Sequence, residues 1–101
     1  MLLAETKDQN SSICYFDSSN ILACKYVAND KKLAIIFKGG RQYVYENVPN
    51  YHYQRFKISQ SQGVALKKYL QKNYTALRVE DTIDTTPILE TINELIEQKK
   101  G

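Results

Sequence analysis

The chain has 101 residues, 43% hydrophobic and 25% charged, enough for one domain with a modest core that needs neither disulfide nor metal. Its longest apolar run, Leu33 to Phe37, is far too short to cross a bilayer, and Met1 to Asn10 lacks the basic leader and long apolar segment of a secretory signal, so a cytoplasmic location away from membranes is expected. The formal charge of +3 hides a division: residues 11 to 79 carry eight lysines and three arginines against three acids (+8), residues 80 to 101 carry six acids against two lysines (−4), and Glu5, Lys7 and Asp8 add −1.

Residues 1 to 10 are polar and aperiodic and read as a loose arm. Ile13 to Phe16 form a short strand that leads into Asp17-Ser18-Ser19-Asn20, whose side chains favour local backbone hydrogen bonds and therefore a turn. Ile21 to Val27 alternates as a strand, Ala28 to Lys31 turns, and Lys32 to Lys38 follows as a strand apolar on both faces, which belongs in the middle of a sheet. Gly39-Gly40 permits positive φ and closes a second tight hairpin, from which Arg41 to Glu46 returns.

Val48-Pro49 ends the extended chain, because proline disfavours helix in the residue before it and suits an early helical position after it. Tyr51 to Ile58 is predicted to be helical, and Ser59 to Gly63 interrupts it. A second helix, from Val64 to about Tyr74, gathers Ala65, Leu66, Tyr69 and Leu70 on one face and Lys67, Lys68, Gln71 and Lys72 on the other. Val79 to Asp84 is an acidic linker, and Thr85-Thr86-Pro87 opens a last amphipathic helix that Lys99, Lys100 and Gly101 end. The expected architecture is α+β: an antiparallel meander of three to four strands covered by two helices in residues 11 to 79, with the acidic linker and helix appended in residues 80 to 101. The apolar stripe of that helix must either fold back on the body or pair with another chain.

Ser18-Ser19-Asn20-Ile21, then Tyr26, Leu33, Phe37, Gly40, Tyr43, Tyr45, Val48-Pro49, Tyr53 and Ser61-Gln62-Gly63, in this order and spacing, resembles the KTSC domain over about residues 16 to 79. That small module occurs alone and appended to some bacterial lysyl-tRNA synthetases, so the resemblance implies RNA-related work by analogy and supplies no catalytic residues. Where the family follows Ser-x-Gly with an aromatic pair and asparagine, this chain has Val64-Ala65-Leu66-Lys67, and whatever that pair does elsewhere does not transfer.

A nucleic-acid surface needs cations for phosphates and aromatic or polar groups for bases. Lys67, Lys68, Lys72 and Arg78 offer one cationic cluster and Lys38 and Arg41 a second around the glycine turn, with Tyr43 and Tyr45 as stacking candidates against their plainer role as core residues. The +8 body makes RNA or single-stranded nucleic acid the expected ligand of a non-enzymatic binding module. The alternative is a protein-binding or inhibitory accessory factor, of the kind found in viruses and mobile elements, whose acidic last helix docks a partner or forms a homodimer through Ile88, Ile92, Leu95 and Ile96. Catalysis finds little support: His52 is the single histidine, and Asp17-Ser18-Ser19 has no base placed beside it. Cys14 and Cys24 have too few companions for a zinc site and read as small apolar residues, so no metal or cofactor is expected.

Overall fold

The computed structural model describes residues 1–100. The alternating segment β3 (Ile21–Val27) and the doubly apolar β4 (Lys32–Phe37) lie side by side at the centre of a six-stranded antiparallel sheet. Around them the chain is a simple meander in which β1 (Leu2–Lys7), β2 (Ser11–Phe16), β3, β4, β5 (Gln42–Tyr45) and β6 (Ala76–Arg78) each neighbour the next. Three helical elements complete it: α1 (Asn50–Ile58), α2 (Gln62–Ala65), which continues into a π-helical segment (Leu66–Gln71), and α3 (Thr86–Lys100). The stop expected at Gly101 lies outside the described residues. Among the described residues no helix is long and apolar enough to cross a membrane.

The sheet is wider than the three to four strands expected, because both edges recruit segments without a strand-like pattern. The supposed loose arm is β1, paired with β2 from Leu2 opposite Phe16 to Lys7 opposite Ser12. Its hairpin is closed by the Asp8 carboxylate, which accepts the Asn10 and Ser11 N–H groups at 3.1 and 2.9 Å. Leu2 reaches the main core and Leu3 the opposite side of the sheet, and an irregularity between Leu2 and Ala4 then resets the alternation, so that Glu5, opposite Cys14, faces the main-core side again. At the other edge, β6 pairs with β5 through Tyr43–Arg78, Val44–Leu77 and Tyr45–Ala76. Main-chain pairing to an exposed edge, rather than side-chain alternation, makes both strands.

One face of the sheet carries the large core. Phe16, Ile21, Leu33, Ile35 and Tyr45 from the strands meet Tyr53, Phe56, Leu66 and Leu70 from the helices, all almost completely buried. Two contacts fix α1: Tyr26 stacks on Tyr53 with centroids 4.3 Å apart, and the Tyr26 hydroxyl donates to the Val48 carbonyl at 2.7 Å. The opposite face carries a smaller core, in which Ile88, Ile92 and Ile96 of α3 cover Leu3, Tyr15, Leu22, Ala23 and Ile36. Of the two destinies open to the α3 stripe, it takes the intramolecular one. Gly40 holds the linker in place: its φ is +89°, a Cβ there would run into the Ile83 backbone, and its carbonyl accepts the Ile83 N–H at 3.0 Å.

Candidate nucleic-acid interface

The lysine-bearing segment is positioned by an anchored loop. Ser61 caps α2, its hydroxyl accepting the Val64 N–H at 3.3 Å, and Gln62 is wholly buried. The Gln62 amide nitrogen donates to the carbonyl of Ser59 at 2.8 Å and to those of Phe56 and Lys57 at 3.4 Å, while its Oε1 accepts from the N-terminal ammonium. With that loop fixed and Ala65, Leu66 and Leu70 in the core, Lys67, Lys68 and Lys72 are left exposed along one ridge.

The ridge has a different feature on each flank. On one, an open depression of about 350 Å³ is lined by Asn20, Phe37, Ser61, Gly63 and Leu66 together with Lys67 of the ridge itself. On the other lies an aromatic group. Lys68 Nζ sits 5.3 Å from the centroid of the Tyr69 ring, Tyr69 is 6.1 Å from His52, and His52 Nδ1 shares a 2.5 Å hydrogen bond with the Tyr74 hydroxyl. Tyr51, 60% exposed, stands edge-on to His52 at 4.5 Å.

The cations picked from sequence fall into unequal groups. Lys67, Lys68 and Lys72 belong together on the ridge. Lys38 follows Phe37 of the depression, and its backbone N–H bonds the Asn20 carbonyl at 2.9 Å, so it borders the same site. Arg41 is exposed just beyond the glycine turn, and Arg78 is exposed on the edge strand β6, opposite Tyr43. The stacking candidates change. Tyr45 is 4% exposed, and Tyr43 is half-buried with its ring edge-on to Phe37 at 5.6 Å, so both serve the core. Tyr51 is the exposed ring of the neighbouring group, whereas His52 is half-buried and Tyr69 and Tyr74 are half-buried against the main core; the signal was the spacing of Tyr53 and Phe56, which turns Tyr51 away from the core on the same helix.

Ile88, Ile92 and Ile96 pack into the second core and Leu95 is half-buried. Glu90, Glu94 and Glu97 are exposed on the far side of the sheet from the lysine ridge, so α3 does not cover that ridge.

A cluster missed in the sequence lies at the β1 edge. Lys57 Nζ donates to both Glu5 oxygens at 3.1 Å, and the Tyr53 hydroxyl donates to Glu5 Oε2 at 2.7 Å. The Tyr53 oxygen also meets Cys14 Sγ at 3.2 Å, and Cys14 pairs in register with Cys24. Burial pushes the Glu5 carboxyl up, but hydrogen bonds from Tyr53 and Lys57 outweigh it and hold the group below its ordinary value. Burial, with hydrogen bonds to Cys14 and Glu5, pushes the Tyr53 hydroxyl far up, and burial likewise raises Cys24. Cys14 is drawn down, first by its hydrogen bond with Cys24. Both thiols are free and 0% exposed, and the network ties β1 to α1. Among the described residues no group of three or more His, Cys, Asp or Glu side chains could hold a metal.

No curated protein matches the chain. A solved KTSC domain protein from Yersinia pestis is similar in fold, with a TM-score of 0.64 at 23% identity over 68% of this chain and 97% of that one. The KTSC domain model matches residues 17–74, which include β3 to β5, α1, α2 and the π-helical segment, and leave out β1, β2, β6 and α3. With more than half of its length matched, and with the depression and the ridge inside the matched part, the chain belongs to the KTSC domain family.

Proposed function

We propose that the protein is a non-enzymatic binding module for RNA or other single-stranded nucleic acid, with the ridge of Lys67, Lys68 and Lys72 as its phosphate-binding element. The observation that carries the reading is the combination on one segment of three exposed lysines with Tyr69, over which Lys68 lies. Cations that neutralise phosphates release condensed counterions, and an exposed ring such as that of Tyr51 offers any base a stacking surface regardless of sequence. Lys38 and Arg41 extend the positive surface past the depression, and Arg55 adds a charge one turn along α1 from Tyr51. Arg78, on the sheet edge, contributes at longer range. The module's resemblance to a domain appended to some lysyl-tRNA synthetases points the same way by analogy alone.

A filter-binding titration of a labelled single-stranded RNA at two salt concentrations tests this. The expected result is binding at low salt that weakens as salt rises, with a log–log slope of about −0.7 for each phosphate neutralised. Absence of binding at low salt, or affinity indifferent to salt, overturns the proposal.

A further inference from the structure

Gly63 has no conformational reason to be glycine. It lies within α2, its φ is not positive, and a Cβ built on it meets nothing within 4 Å. Gly40 is the contrast, since there both a φ of +89° and the Ile83 backbone demand the absence of a side chain. A glycine inside a helix is unfavourable because it loses the most backbone freedom on ordering, and at residue 63 no neighbouring atom would obstruct a Cβ in its place. The space a side chain would occupy is the depression. Glycine is also the residue that lets a ligand come close to the backbone.

The lining tells what kind of ligand fits. Phe37, Leu66 and the methyls of Val64 offer apolar surface, Asn20 and Gln71 bring amides that both donate and accept, and Lys67 belongs at once to this lining and to the ridge. At about 350 Å³ the space is near the small end of ligand pockets, which run from roughly 300 to 1,000 Å³. A flat ring with polar edges, joined to an anion, satisfies all of these features, and a splayed base with its phosphate is such a group.

We infer that the depression over Gly63 is a subsite for one unstacked nucleobase of a single strand whose phosphate rests on Lys67. This inference rests on the ridge reading above and adds base recognition to it. Paired bases cannot enter, so the subsite selects single strands over duplex.

The test is fluorescence anisotropy of the full chain with a labelled short oligoribonucleotide and with an abasic strand of the same length. The wild type is expected to bind the base-bearing strand about tenfold more tightly, the order of one stacked base. Gly63→Leu, placed in the lining of the depression, is expected to lower that ratio severalfold, and Gly63→Ala to lower it less while melting at or above the wild-type temperature. Should leucine disturb the helix, Asn20→Ala, at an exposed turn position, must lower the same ratio. A ratio unchanged in these variants, or already near one in the wild type, overturns the subsite and leaves the ridge standing. Failure of the wild type to bind either strand at low salt overturns both.

Discussion

The same sheet is covered in two different ways. Under α1, α2 and the π-helical segment the core is deep, with Phe56, Leu70, Leu33 and Ile35 fully buried, and its outer surface carries the lysines. Under α3 the core is thin, with Ile92 at 6% exposure as the one fully covered helix residue, and the outer surface carries glutamates. The sheet thus lies between the lysine ridge and Glu90, Glu94 and Glu97 of α3. With the sheet between them, α3 and the ridge are two layer spacings of about 10 Å apart, well beyond the Debye length of about 8 Å at physiological ionic strength, so the glutamates of α3 do not neutralise the ridge locally.

If the two faces differ in this way, substitutions should rank accordingly in urea unfolding followed by circular dichroism. Phe56→Ala, in the deep core, is expected to cost most, roughly 3–5 kcal/mol. Glu5→Gln leaves the Lys57 ammonium buried without its partner; a fully buried pair broken this way costs ~3–5 kcal/mol, and with the Glu5 side chain 16% exposed about 2–3 kcal/mol is expected. That loss has a defined pH dependence. Because the folded protein holds Glu5 below its ordinary value of 4.5, its stabilisation is complete above that pH and disappears as the pH falls through the lower folded-state value. The gap between wild type and Glu5→Gln should therefore close in acid; a gap constant down to strong acid would remove the carboxylate from the account.

On the thin face, Ile92→Ala is expected to cost about 2 kcal/mol, at the low end for core truncations, since a shallow core collapses more readily around the lost volume. A cost equal to that of Phe56→Ala would abolish the distinction between the faces. The smallest stability effect belongs to the combined replacement of Lys67, Lys68 and Lys72 by alanine, expected to stay within about 0.5 kcal/mol for each site. The same variant should bind single-stranded RNA more weakly, and its salt dependence should flatten by about 0.7 in slope for each phosphate that the lysines no longer neutralise.

Much of the centre was legible because its residues carry their own instructions. The alternation of Ile21 to Val27, the doubly apolar Lys32 to Lys38, the glycine turn and the helix-opening Thr86-Pro87 each state a local preference that packing then used. The lysine ridge was legible for the same reason, since helical spacing separates Lys67 and Lys68 from Leu66 and Leu70. Tyr43 and Tyr45 show the limit: alternation places them on one face of a strand but does not say whether that face is covered, and α1 with the π-helical segment covers it.

What the amino-acid sequence determined by itself is the alternation of central strands, the turns between them, the two amphipathic helical stretches and the division of charge along the chain, all consequences of short-range periodicity and backbone preference. Tertiary structure alone decided the rest. It drew Leu2–Lys7 and Ala76–Arg78 into the sheet through main-chain bonds that leave no side-chain pattern, and put α3 on the face away from the lysines. It also joined Glu5 to Tyr53 and Lys57 across 48 and 52 residues of chain. A carboxylate in a polar first segment acquires its meaning only when folding brings a buried ammonium to it, because the energy that fixes it comes from desolvation and pairing at a distance in sequence.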